Sequence, residues 1–178
     1  MVTVQPCEIP LSTSLRAVQD KGAYADCYVT EVKGTVSHAE FVEAFYTTTL
    51  FKVERKLLAW IAGKPATNSD AARLGNATAT SFSAWTVESR SDDQILLADF
   101  TGRTKSWLMV AQLGNSMTVQ TTRLYFGSAV VPKRSASPGA PRMGFAFHAL
   151  LGFHRLYSRL LLLAARSKIL TSQATRSA

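Results

Sequence analysis

The stretch Gly144 to Arg166 restricts the folding choices of this chain more than any other. Written on a helix at about 100° per residue, His148, Gly152, Arg155, Arg159 and Arg166 fall on one narrow stripe. Phe145, Leu150, Phe153, Leu156, Tyr157, Leu160, Leu161 and Leu163 fill the broad opposite side. A helix so one-sided has to lay its apolar side on something. Crossing a bilayer takes about 20 residues nearly free of charge. Arg155 and Arg159 interrupt the run, so a span is not expected. A membrane surface suits arginine on one side and leucine with phenylalanine on the other. The preceding chain, however, offers strands whose own apolar face needs a cover, and this favours packing within the molecule.

Those strands begin after Ala77, where the hydrophobic period changes from helical to two. Residues 78–89 (TATSFSAWTVES), 94–100 (QILLADF), 105–113 (KSWLMVAQL) and 117–126 (MTVQTTRLYF) are rich in Thr, Val, Trp, Tyr and Phe, residues that suit a pleated surface. Ser91-Asp92-Asp93, Thr101-Gly102 and Gly114-Asn115-Ser116 separate them. Links this short join neighbouring antiparallel strands, giving a meander. The segment from Pro132 to Pro141, rich in Pro, Ser and Gly, lets the chain leave the sheet and cross its face.

Ahead of the meander, Pro6 and Pro10 mark an extended lead-in with a helical turn at Ser14–Asp20. Tyr24 to Val32 alternates as a first strand closed by Gly34. Ser37 and Glu40 have the spacing of a capping box. The helical pattern that follows stops at Gly63, with Pro65 beyond. Its apolar side turns by about 100° at Thr47-Thr48-Thr49, three β-branched residues that fit a helix interior poorly. Two short helices, 38–47 and 50–62, are therefore expected to meet at an angle, with one further turn at Asn68–Leu74. Thr171 to Ala178 has no apolar anchor and is expected to fray. The domain is expected to span residues 1–170, with 171–178 as a flexible tail.

The 178 residues are enough for one domain with a real core. The N-terminus lacks a basic segment followed by an apolar run, so no signal peptide is expected. Cys7 and Cys27 are too few and too far apart in sequence for a disulfide framework or a cysteine-based zinc site. With His38, His148 and His154 the only histidines, no metal constellation is evident, and a reducing cytoplasm is the expected compartment. Residues 1–132 carry 12 basic and 12 acidic side chains. The net charge of +8 therefore belongs to residues 133–178, which contain no Asp or Glu. Such a one-signed segment can attract an anionic partner, although a solvated helix face explains it as simply. Nucleic acid is not expected, because no exposed aromatic residues interleave with the basic ones.

The order of elements is strand, two short helices, antiparallel meander and long C-terminal helix. It implies an α+β fold: a curved antiparallel sheet with the long helix packed across it. This order resembles the helix-grip arrangement of the START-like (SRPBCC) superfamily, which includes polyketide cyclases, Bet v 1-type proteins and lipid-transfer domains. The end of the chain is also similar to a bacterial family within it, which has an aromatic-rich last strand and a helix starting Pro-Phe-His-Arg. Val119 to Phe126 (VQTTRLYF) and Phe153-His154-Arg155 correspond to those features, with Gly152 in place of the proline. The family's acidic-x-His segment has no counterpart in Arg103-Thr104-Lys105-Ser106. The resemblance implies a cavity between sheet and helix that holds an apolar ligand. In cyclase-like members, polar side chains there also do acid/base work.

Candidate ligand-binding residues follow. His154 sits where the polar and apolar sides of the helix meet and can serve as acid, base or hydrogen-bond anchor. Phe153 and Tyr157 flank it. Trp85, Trp107 and Tyr125 are strand aromatics able to line a pocket. Arg123 shares a face with Tyr125 and can anchor a carboxylate. Asp99 is the acid within an apolar strand and needs a partner if it points inward. The plainer alternative for each is structural: a satisfied histidine, core aromatics, surface charges. No phosphate loop, dinucleotide fingerprint, nucleophile elbow or zinc spacing appears, so no cofactor is expected.

The leading expectation is a domain that binds a small apolar or amphipathic molecule between its sheet and Gly144–Arg166, and a filled core with no pocket in the range of a few hundred Å³ would count against it. An enzyme of cyclase or hydrolase type using His154 with Asp99 or Arg123 is one alternative. A peripheral module that docks Arg155, Arg159 and Arg166 on an anionic membrane or acidic protein is another.

Overall fold

Alternating apolar residues joined by short turns leave few arrangements other than adjacent antiparallel strands, and these build the centre of the fold. The structure, a computed structural model, describes residues 4–63, 65–114, 120–132 and 145–177, without the side chains of 54, 57–59, 61, 62, 145–153 and 177. In chain order the elements are β1 (Gln5–Pro6), α1 (Ser14–Asp20), β2 (Tyr24–Lys33), α2 (His38–Tyr46), α3 (Thr49–Ala62) and α4 (Asn68–Gly75). They continue with β3 (Ser81–Phe82), β4 (Trp85–Arg90), β5 (Gln94–Asp99), β6 (Thr104–Leu113), β7 (Thr121–Val130) and α5 (Phe145–Ser177). The seven strands of the described residues join one antiparallel sheet in the order β1-β2-β7-β6-β5-β4-β3. The α+β class and the long C-terminal helix across the sheet are as expected. Among the described residues no helix is long and apolar enough to cross a membrane.

The helix signals ahead of the meander act as their chemistry requires. Ser37 and Glu40 form the reciprocal capping box of α2, with Glu40 N–H donating to Ser37 Oγ at 3.2 Å and Ser37 N–H to Glu40 Oε2 at 2.9 Å. The three threonines end α2 and start α3. Thr47 Oγ1 donates back to Glu43 O, and Thr48 Oγ1 caps α3 by accepting from Phe51 N at 3.1 Å. Gly63 closes α3 at φ 63°. The single turn expected at Asn68 is the eight-residue helix α4, with a capping box of its own between Thr67 and Asp70.

Three boundaries differ from expectation. Residues 78–89 are not one strand: Phe82 pairs with Trp85 around a tight turn at Ser83, which has φ 52°. Strand propensity alone cannot signal such a hairpin, because serine and alanine replace the usual Asn-Gly. The last strand runs later than expected, from Thr121 to Val130, since its ten-residue ladder with β6 continues through Gly127 and Ser128. Met117 to Val119, the turn at Asn115-Ser116 and the Pro/Ser/Gly segment beyond Pro132 lie outside the described residues. Finally, α5 continues to Ser177 instead of ending near Arg166. Polar contacts hold this last part: Gln173 Nε2 donates to Lys33 O at 3.2 Å and Arg176 pairs with Glu40 at 2.7 Å.

The two faces of the sheet bury separate cores. Toward α2 and α5, Leu124, Phe126, Leu108, Ile95 and Leu97 meet Phe41, Phe45, Leu161, Leu162, Ala165 and Ile169. Phe45 lies with its ring centroid 4.7 Å from that of Phe126. Tyr46 lies 4.8 Å from Phe51 and 5.2 Å from Phe82. On the opposite face a smaller cluster holds Trp107, Met109, Leu96, Cys27 and Ala129 beneath α1 and the N-terminal segment. Gln94 Oε1 pins that cover by accepting from Ser14 N, Ser14 Oγ and Trp107 Nε1 at 2.9–3.1 Å. Gly127 makes the close approach possible, because a Cβ there would overlap Leu15 and crowd Asp26 O at 3.0 Å.

The buried stripe of α5 is narrower than the helical wheel suggests. Leu161, Leu162, Ala165 and Ile169 are buried, whereas Leu156, Leu160 and Leu163 are 57%, 44% and 45% exposed. The arginine stripe lies along β2. Arg155 Nη2 donates to Tyr24 OH at 3.1 Å, the Arg159 guanidinium sits 5.4 Å from the Tyr28 ring centroid, and Arg166 Nε donates to Glu31 O at 3.1 Å. The edge of β2 that faces away from β7 is thereby closed at alternate residues. Cys27 O accepts from Cys7 N–H at 3.0 Å, Val29 pairs with Gln5, and Glu31 O and Lys33 O accept from α5.

Candidate functional site

Register decides which polar residues look toward α5. Asp26 on β2 is opposite Ser128 on β7, which is opposite Ser106 on β6. These three form a polar rung on the face whose next rung is Tyr28, Phe126 and Leu108. Above this row α5 carries His154, Tyr157, Ser158 and Leu161. Together with Phe45, Phe51, Trp85 and Phe126 they line a cavity of about 160 Å³ between sheet and helices.

Most polar groups of the cavity are already engaged. Ser128 Oγ donates to Asp26 Oδ1 at 2.6 Å and lies 2.5 Å from His154 Nε2. Tyr46 OH and Ser106 Oγ share a hydrogen bond at 3.0 Å, and Lys105 pairs with Glu88. Tyr28, on the neighbouring rung, has its phenol pKa pushed up to about 12, first by burial and then by the Asp26 carboxylate. Two groups differ. Trp85 Nε1 and Ser158 Oγ are buried with no hydrogen-bond partner among the described residues. A serine inside a helix ordinarily bonds the carbonyl four residues back or faces water. Ser158 does neither and is 0% exposed. A buried N–H and a buried hydroxyl left unpaired on one cavity are costly, by about 1–3 kcal/mol each.

Of the residues expected to bind a ligand, Trp85, His154 and Tyr157 line this cavity. Trp107, Arg123 and Tyr125 do not, and the reason is alternation. Leu108, Leu124 and Phe126 point toward the helices, so their neighbours in sequence point to the other face. Trp107 and Tyr125 belong to the smaller core there. Arg123 pairs with Glu31 at 2.8 Å on that face. The Phe153 side chain and His148 lie outside the described side chains. Asp99 shares the inward face with Leu97, yet it serves its own turn. It accepts from Thr101 Oγ1 at 2.9 Å, Arg103 N at 2.9 Å and Thr104 N at 3.2 Å. His154 therefore meets neither Asp99 nor Arg123, and its partner row is Ser128 and Asp26.

Sequence reading missed Asp26, Ser106, Ser128 and Ser158. For Ser128 a signal existed: Leu124, Phe126 and Ser128 continue one period-two face, hidden by ending the strand at Phe126. Among the described residues no group of His, Cys, Asp and Glu could hold a metal ion. No known protein family, curated protein or solved structure matches the chain, so the architecture and the cavity are what characterise it.

Proposed function

We propose that the chain is a helix-grip domain of the START-like kind that binds one small, mainly apolar molecule in the cavity beneath α5. The observation that carries this reading is the pair of unpartnered buried groups, Trp85 Nε1 and Ser158 Oγ, on a cavity whose apolar wall is Phe45, Phe51, Phe126 and Leu161 and whose Ser106, Ser128, His154 and Lys105 already have partners. A guest oxygen able to accept from the indole N–H and pair with the hydroxyl satisfies both. The cavity, at about 160 Å³, is smaller than the pocket expected, because Phe45, Tyr46, Phe51 and Phe82 fill much of the space between sheet and helices. An apolar cavity of about 150 Å³ holds a benzene-sized guest. The substrate class is therefore a single-ring or short branched compound with one carbonyl, carboxyl or phenolic oxygen.

Native mass spectrometry of the freshly purified protein, followed by a thermal-shift screen of single-ring acids, ketones and phenols, tests this. A saturable rise in melting temperature that disappears in Ser158→Leu, which fills the space and removes the hydroxyl, is the expected result. No co-purified molecule and no shift from any compound would remove the reading.

A second reading has its own observation in the row His154, Ser128 and Asp26. Ser128 has one hydroxyl proton. Giving it to Asp26 leaves Oγ to accept from His154 Nε2–H, which presents Nδ1 to the cavity as a base. On this reading a bound molecule is turned over, as in cyclase-like enzymes. His154→Gln should then retain binding and lose turnover; a bound compound recovered unchanged after incubation with wild type excludes it.

A further inference from the structure

The sheet face away from α5 places the chain's two cysteines together. Beyond the paired residues Gln5↔Val29 and Pro6↔Tyr28, the next rung sets Cys7 opposite Cys27, with Cys7 N–H donating to Cys27 O at 3.0 Å. Their sulfurs are 3.1 Å apart and both thiols are free. A bond of about 2.05 Å needs only a small side-chain adjustment from there, provided the backbones are already close, and a strand ladder keeps them so. Exposure is unequal. Cys27 is 3% exposed within the smaller core. Cys7 borders a groove of about 520 Å³, together with Glu8, Pro10, Arg123 and Tyr125.

We propose that Cys7 and Cys27 form a redox-active dithiol, in which Cys7 attacks a low-molecular-weight disulfide that enters the groove and Cys27 completes the reaction. The Cys7 thiolate bonds to one sulfur of the small disulfide, whose S–S bond breaks and releases one thiolate. Cys27 passes its proton to that leaving thiolate, and its sulfur attacks Cys7 Sγ and expels the second thiolate, which takes from water the proton that Cys7 had released to it. The protein dithiol is oxidised to a disulfide, and the small disulfide is reduced to two thiols. The direction of attack follows from the surroundings of each sulfur. A hydrogen bond from Cys27 and the positive charge of Arg123 hold the Cys7 thiol below the usual range against the opposing effect of burial. The same bond, with burial, pushes Cys27 up. A thiolate is the attacking species, so the less buried member of the pair is also the activated one.

The chemistry has a structural consequence for the N-terminal segment. Two residues of β1 and the seat of α1 on Gly127 hold that segment to the sheet. A Cys7–Cys27 bond would tie it covalently and close a loop 20 residues apart in sequence.

The full-length protein is equilibrated in buffers of increasing oxidised-to-reduced glutathione ratio, quenched with acid, alkylated under denaturing conditions and weighed intact. Wild type is expected to pass from two alkylated thiols to none, as a monomer lighter by two hydrogens. Its melting temperature should rise by roughly 5–10 °C. Cys27→Ala, which leaves no buried hydroxyl, is expected to stop at one glutathione adduct, mapped to Cys7. Cys7→Ser is expected to take up none while folded. Two alkylatable thiols in wild type at every ratio, or disulfide-linked dimers instead of an internal bond, overturn the proposal. So does a folded Cys27→Ala that gains no adduct. If Cys27→Ala does not fold, the wild-type titration alone decides.

Discussion

His38 begins α2 and is buried, with the indirect result that its imidazole is held neutral. Burial is the main cause and the positive charge of Arg90 adds to it, against opposition from the Leu108 backbone and Asp93. Together they bring its pKa down from 6.5 to about 4. The unfolded chain therefore binds a proton more readily than the folded one between those values. The contribution of His38 to stability is complete above about pH 6.5 and is lost as pH falls toward 4, by about 3 kcal/mol at most. Chemical denaturation across that window should show wild type weakening on acidification and His38→Gln changing distinctly less. Equal slopes would mean that the histidine is solvated. No reading of residue type could reveal this, because His38 looks like any polar residue in a first helical turn. The groups that act on it, Arg90, Asp93 and Leu108, come from elsewhere in the chain.

At the scale of elements, the sequence is most legible where a local signal is also a physical cause. Ser37 with Glu40, the threonines at 47–49 and Gly63 are such signals, and α2 and α3 begin and end where they act. Boundaries set by long-range partners are less legible. The turn at Ser83 exists because Phe82 joins the aromatic cluster of Tyr46 and Phe51, and nothing within residues 78–89 announces it. For α5 the wheel finds an amphipathic helix yet misplaces its contact line. The sheet receives Leu161, Leu162, Ala165 and Ile169, and an exposed leucine ridge remains at 156, 160 and 163. Leu162→Ala should therefore cost about 2–5 kcal/mol, whereas Leu160→Ser should change stability by about 0.5 kcal/mol or less. Urea denaturation of the two variants checks the assignment, and similar losses would place the helix at another rotation.

In the whole molecule, one sheet serves two enclosures. The face under α5 keeps a small cavity with two unpartnered polar groups. The face under α1 keeps a pair of thiols beside a groove. Trp107, Arg123 and Tyr125 illustrate why the candidate site was only half readable: period two assigns residues to two faces but does not say which face the long helix covers. Strand register also brings Asp26 beside Ser128 across 102 positions, and no local pattern encodes that meeting. The closed outer edge of β2 gives a prediction at this scale. Replacing Arg166 and Gln173 by alanine together frees Glu31 O and Lys33 O. It should raise concentration-dependent light scattering while leaving the circular dichroism spectrum unchanged. Scattering no greater than that of wild type would show that these two side chains do not protect the edge.

An unsatisfied strand border is an invitation for another chain to extend the ladder, and proteins that stay dispersed have to decline it. Here the refusal comes from α5, which follows every strand of the sheet along the chain. Until α5 lies down, the nascent sheet displays an open hem, and a crowded neighbour could stitch itself on. Anything that delays the docking of α5 should therefore appear first as lost solubility, ahead of any loss in guest binding.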